Sequence, residues 1–262
     1  MLLRKSLFTT TALICLSLAV GGCETLGGES ETASAADSSN TPSMFDPEIY
    51  QAALRAESQH NYLEAAQHYQ SLLARDSANL ELAVGLARNL RYAGSGQQAA
   101  EVINLLIARE GRTGPLLTEL GKAYVSADQM NIAIPVLEEA RTLAPDQWDT
   151  HSTLGVAYDY EGRFDQAREA YAAALLLSPQ NPDILNNMAL SQAQSGDLEG
   201  AIATMSLAAD QPTASSQVRQ NLALLLAFNG DVANADRWAR KDLPREIAEA
   251  NSKYYRYLAS PQ

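Results

Sequence analysis

WDTHSTLGVAYDYEGRFDQAREAYAAALLLSPQN, residues 148–181, decides how this chain folds. Leu154, Gly155 and Tyr158 share one face of a first helical segment, and Ala167, Tyr171 and Ala174 share one face of a second. Gly162 lies between them, where a left-handed residue ends a helix. Pro179 stops the second segment, and Asn181-Pro182 supplies an N-cap and a first-turn proline for the next helix. The stretch reads as two antiparallel helices. Gly155 and Ala167 are small because the helices touch there, and Tyr158 and Tyr171 fill the space beside that contact.

Outward from this hairpin the pattern recurs every 34 residues: Ala52, Leu86, Leu120, Leu154, Met188 and Leu222 are evenly spaced, and each is followed by Ala or Gly. The third copy offers Gly121, Tyr124, Ala133, Ala140 and Pro145, and the fifth Ala189, Gly196, Ala201, Ala208 and a slightly early Pro212. The second keeps Ala87, Gly94 and Ala99, and the sixth Ala223, Gly230 and Ala235. The first is poorest, with Ala53, Tyr62, Ala65 and Tyr69, as terminal copies of a repeat tend to be. After Pro244, Ile247, Ala250, Tyr254 and Leu258 follow at helical spacing and predict a capping helix.

A hairpin of this period resembles the tetratricopeptide repeat, with His151 standing where the motif has its early tryptophan. The expectation is an all-α, right-handed superhelix of about six such hairpins over residues 46–249, with the end of the capping helix and a tail in 250–262. Pro135 falls inside a predicted second helix and puts its local geometry in question. Stacks of this kind grip other proteins along an extended surface and seldom carry chemistry of their own.

The N-terminus speaks to compartment. Arg4 and Lys5 precede a largely apolar run, Leu7 to Val20, too short for a comfortable membrane span. Val20-Gly21-Gly22-Cys23 resembles a bacterial lipobox, so residues 1–22 read as a lipoprotein signal and Cys23 as the lipid-bearing first residue of the mature chain. Such lipoproteins usually carry three acyl chains, and two or more anchor stably where one does not. Glu24, not being Asp, favours the periplasmic face of the outer membrane by the usual sorting rule. Residues 23–45 are rich in small, polar and acidic residues and read as a flexible tether with a typical span of roughly 25 Å.

Charge and cysteine content exclude several classes of function. The formal net charge of −12 becomes more negative by two when Arg4 and Lys5 leave with the signal, which disfavours nucleic acid and anionic headgroups as ligands. Cys15 leaves as well and Cys23 carries lipid, so no thiol remains for a disulfide, metal or nucleophile. His60, His68 and His151 lie in no metal-ligand spacing, no nucleophile motif frames a serine, and Gly155 and Gly162 belong to the repeat. We expect no enzyme, cofactor, metal or small-molecule substrate.

Binding residues follow from repeat geometry, in which the first helices line the inner surface at the second, fifth, ninth, twelfth and thirteenth positions of each copy. The second and third copies place Arg88, Arg91, Tyr92 and Lys122 there; the fourth places Asp149, Val156, Asp159 and Tyr160; the last two place Asn186, Leu190, Gln194, Gln220, Leu224 and Phe228. The groove is expected to start basic, turn acidic, and end amide-rich and apolar, suiting a helix or extended peptide with an apolar stripe. Tyr160 and Phe228 stand out because neither falls on a hallmark core position.

Lipobox, tether, repeats and a tail containing Asp242-Leu243-Pro244, Ala250-Asn251 and Tyr254-Tyr255-Arg256 together resemble the TadD family, lipoproteins of tight-adherence (Flp) pilus assembly. The resemblance implies a pilotin-like role, in which an anchored repeat protein binds the outer-membrane secretin subunit and helps it reach or assemble in that membrane. It brings no catalytic or cofactor residues. The alternative is a general periplasmic scaffold for outer-membrane or cell-wall assembly; a reading from another class is an enzyme whose groups converge from distant positions.

Overall fold

The computed structural model describes residues 46–259; the expected signal, lipid site and tether, and the last three residues, lie outside them. The described residues form thirteen helices: α1 (Pro47–Ser58), α2 (Tyr62–Arg75), α3 (Leu80–Tyr92), α4 (Gly96–Glu110), α5 (Gly114–Ser126), α6 (Met130–Leu143), α7 (Trp148–Tyr160), α8 (Phe164–Leu177), α9 (Pro182–Ser195), α10 (Leu198–Ala209), α11 (Ser216–Phe228), α12 (Val232–Ala239) and α13 (Arg245–Ala259). Each odd-numbered helix up to α11 pairs with the even one after it, and α13 closes the series.

Local chemistry sets the boundaries. Asp46 accepts the backbone N–H groups of Glu48 and Ile49 ahead of Pro47, and Asn181 accepts that of Asp183 ahead of Pro182; both satisfy donors that a helix start leaves open. Asn79, Asp197, Ser215 and Asp231 cap α3, α10, α11 and α12 in the same way. Within each hairpin turn one residue has positive φ: His60, Gly94, Asp128, Gly162, Gly196 and Gly230, again 34 residues apart. Glycine suits that backbone at four of the six positions, while His60 and Asp128 hold it with a side chain.

Packing repeats as strictly as the turns. Ala65, Ala99, Ala133, Ala167, Ala201 and Ala235, one per second helix, are all fully buried at the helix crossing. Tyr69, Ile103, Leu137, Tyr171, Met205 and Ala239 form a second buried column. The partner position on the first helix explains the expected small residue more closely than contact between backbones does. A Cβ on Gly155 would lie 2.5 Å from the Tyr171 ring, and one on Gly121 2.3 Å from Leu137. The glycine makes room for the large side chain of the column opposite. In the first copy the packed residue is Ala53, fully buried, while Ala52 is only partly so.

Pro135 does not break α6. It sits on the exposed face, as does Asn131, whose carbonyl loses its intrahelical donor and can turn to water. From α3 onward each first helix also touches the first helix of the next hairpin, whereas second helices meet no other second helix to a comparable extent among the described residues. The stack is therefore tighter on the first-helix side, which makes α3, α5, α7, α9 and α11 the inner, concave wall. No helix among the described residues is long and apolar enough to cross a membrane.

Candidate protein-binding groove

Along the inner wall the 34-residue spacing aligns side chains into rows. One row runs Arg88, Lys122, Val156, Leu190, Leu224; another, at the last turn of each first helix, runs Tyr92, Ser126, Tyr160, Gln194, Phe228. Val156, Leu190, Leu224 and Phe228 are half-buried, and Tyr160 is 55% exposed. On α7, α9 and α11, which touch in sequence, the two rows make a continuous apolar strip with Gln194 and Asn186 as its amides.

The basic start of the groove is different from the sequence expectation. Arg88 donates to Glu57 of α1 at 3.0 Å, and the amide nitrogen of buried Asn89 reaches the same carboxylate at 2.5 Å. Lys122 sits between Glu119 and Asp149, both at 2.6 Å. Burial alone would lower the pKa of Lys122, but the two carboxylates more than offset it, so its pKa is raised and it stays charged. These cations join one repeat to the next and are already neutralised. Arg91 lies over the Tyr92 ring, 4.6 Å from its centre, and Tyr92 in turn packs against Tyr62 with centroids 5.0 Å apart.

Asp159 is likewise taken up within the fold. Tyr171 donates to one carboxylate oxygen at 2.7 Å, and Ser191 of the following repeat donates to the other at 2.6 Å. Burial pushes its pKa up, partly opposed by the two hydroxyls. The acidic middle of the groove is thus an internal bridge. Asn186 accepts from Asn221 at 2.8 Å and donates to Asn187 at 3.2 Å, linking α9 to α11 while remaining half-buried. Of the residues singled out from sequence, Tyr160, Leu190, Gln194, Leu224 and Phe228 form the strip itself, Asn186 borders it, and Arg88, Lys122 and Asp159 serve between repeats.

Sequence reading had no means of finding the partners Glu57, Glu119 and Ser191, since none carries a repeat hallmark. A separation of 31 to 32 residues, as between Glu57 and Arg88 or Asp159 and Ser191, is the available signal: it sets residues of neighbouring first helices side by side. Thr118 and Thr150, 2.6 Å apart and buried, follow the same rule. The histidines have structural contacts: His60 packs edge-on against Tyr62, and His151 Nε2 lies 2.9 Å from the Pro145 carbonyl oxygen. Among the described residues no group of three or more His, Cys, Asp or Glu side chains is placed to hold a metal ion. Two shallow depressions lie at helix connections, around residues 178–183 and 162–168, away from the strip.

Comparison with known proteins agrees with this architecture. Residues 152–216 match a family described as tetratricopeptide repeat. The uncharacterised protein y4yS of Sinorhizobium fredii is 31% identical over 112 residues; the match covers 43% of this chain and 61% of that protein, so this chain spans less than two thirds of its relative. A thermophilic tetratricopeptide-repeat protein of Thermus thermophilus has a solved structure that superposes with a TM-score of 0.62 at 23% identity, over 69% of this chain and 98% of that one. The pilF structure of Pseudomonas aeruginosa superposes at 0.54 with 18% identity, over 79% and 96%. At these identities the two structures speak to fold alone. Residues 152–216 thus match the tetratricopeptide repeat, and the other hairpins continue the same 34-residue spacing in an all-α superhelix of that fold.

Proposed function

We propose that this chain is a lipid-anchored protein of the periplasmic face of the outer membrane that binds a segment of a tight-adherence pilus secretin and assists its assembly, in the manner of a pilotin. The observation that carries the binding half of this reading is the apolar strip on α7, α9 and α11, with Tyr160 and Phe228 beside Leu190 and Leu224 and with Gln194 and Asn186 available for polar groups. A helix or extended peptide with an apolar stripe fits such a surface. The anchor rests on the lipobox at Cys23, and the choice of secretin rests on the resemblance of layout and tail to the TadD family. Neither nucleic acid nor a small-molecule substrate has a place in it.

Since Arg88, Lys122 and Asp159 are satisfied internally, affinity is expected to come from apolar burial, with a weak dependence on salt. Titration of the mature chain with the secretin subunit tests this. Changing Tyr160→Ala together with Phe228→Ala should weaken binding by well over tenfold, as truncated aromatic anchors commonly cost about 2 kcal/mol each. Unchanged affinity in the folded double variant would place the site elsewhere. No binding of the secretin by the wild-type chain would favour the general scaffold of outer-membrane or cell-wall assembly.

A further inference from the structure

Helix α13 takes the place of a first helix. It packs on α12 and α11 as α9 packs on α8 and α7, and Ser252 donates into the Asp236 carboxylate of α12 at 2.6 Å. The preceding first helices are buried on two sides, against the earlier hairpin and against their own second helix. In α7 this buries Thr150, Ser152, Leu154, Gly155, Ala157 and Tyr158. In α13 only Ala248, Ser252 and Tyr255 are buried, a single row at i, i+4 and i+7. The other side carries Ala250, Lys253, Tyr254 and Tyr257, all exposed and at the spacing of a helix-binding stripe. Tyr254 and Tyr257 are 51% and 61% exposed, with rings stacked 6.4 Å apart. No second helix covers this stripe among the described residues.

Charge says what chemistry suits it. In a chain of net charge −12 with 19 basic residues, six of those lie within residues 237–256, against three acidic ones. Arg237, Arg240, Lys241 and Lys253 are exposed there, Lys241 with its Nζ over the Trp238 ring, 3.3 Å from its centre. Of the three acids, Asp242 is held by Nε and Nη2 of Arg219 at 2.7 and 2.6 Å, Glu249 pairs with Arg245, and Glu246 is exposed one turn ahead of Ala250, at the far end of the stripe from Tyr257. We propose that this face docks an amphipathic helix of a partner protein whose apolar stripe is flanked by acidic residues, seated where the second helix of a further hairpin would sit. A second copy of α13 would set Lys253 and its basic neighbours against themselves, which charge disfavours. A membrane surface would find an apolar stripe of two tyrosines and an alanine, too little to insert.

The test uses the full chain and two synthetic helical probes of about 16 residues. Both carry leucines at i, i+3, i+4 and i+7, one flanked by glutamates and the other by lysines. The glutamate probe should bind at least about tenfold more tightly, and about 0.5 M salt should weaken it. Tyr254→Ala with Tyr257→Ala should cost it about tenfold, Lys253→Glu should shift preference toward the lysine probe, and Tyr160→Ala with Phe228→Ala should leave the preference for the glutamate probe in place. Equal affinity for the two probes overturns the proposal, as does full binding of the glutamate probe by the Tyr254/Tyr257 variant or loss of the preference for that probe in the Tyr160/Phe228 variant. Binding of anionic vesicles but neither probe would mark the face as a lipid surface. Sedimentation showing a dimer that the Tyr254/Tyr257 variant loses would assign it to a second copy. Release of a masked site on deletion of residues 23–45 would assign it to the chain's own acidic segment.

Discussion

Asp159 illustrates how much one residue can do inside a repeat stack. Its carboxylate receives Tyr171 from its own hairpin and Ser191 from the next, so it fixes both the large ring under Gly155 and the offset between α7 and α9. Because burial raises its pKa, the folded chain binds this proton more tightly than the unfolded one. The stability it contributes is full below the ordinary carboxylate pKa of about 3.9 and is lost as pH rises through the folded value. Asp159→Asn lacks that titration and should gain in melting temperature over the wild type between pH 4 and pH 7. A difference that is the same at both pH values would show that the carboxyl does not titrate as its burial implies. The hairpin turns make a second residue-scale prediction. Asp128→Gly, at φ +58°, should raise stability by about 0.5 kcal/mol, and Gly162→Ala, at φ +68°, should lower it by about 1 kcal/mol, read from urea melts.

Among the elements, the first and second helices of each hairpin meet at an alanine that is fully buried in all six copies. Ala167→Leu must push carbons into that crossing and should cost roughly 1 to 3 kcal/mol. Gln166→Leu, on the exposed side of the same helix, loses only a hydrogen bond from Arg163 and should cost far less, so equal melting temperatures would contradict the register. This level was the most legible in sequence, because Ala167, Tyr171 and Gly155 obey one spacing and the chain repeats the experiment six times. Two details escaped: Ala52 is only partly buried in the first copy, and α6 runs through Pro135. Both depend on which face of a helix meets solvent, and the weakest copies blur that. The groove was half legible. Repeat position placed Tyr160, Leu190, Gln194, Leu224 and Phe228 on one wall, but whether a charged side chain there stays available depends on its partners, and the 31- to 32-residue offset that points to Glu57 says nothing of Glu119 or Asp149 around Lys122.

At the scale of the whole molecule, an apolar strip lies toward the C-terminal half of the inner wall, and a basic, tyrosine-bearing face lies on α13 beyond it. The expected anchor lies at the opposite end of the chain. Cys23→Ser should remove all acyl chains at once and leave the repeats folded, so the variant should leave the membrane fraction with unchanged helicity. Retention by lipid after detergent-sensitive fractionation would refute Cys23 as the anchor.

The polar contacts between neighbouring hairpins also carry a mechanical consequence. Each hairpin is held chiefly by those next to it; the first is strapped to the second by Arg88 and Asn89 to Glu57 and by Tyr50 to Glu81, whereas Ser191 to Asp159 and Asn221 to Asn186 tie the hairpins of the strip. Were the proposed anchor and groove both in use, tension would enter at Asp46, and the α1–α2 hairpin, strapped to α3 through Glu57 and Glu81, would be the first to bear it. The carboxylates of Glu57 and Glu81 would then act like rivets at the loaded end, and removing them should let the first hairpin open under pull ahead of the rest.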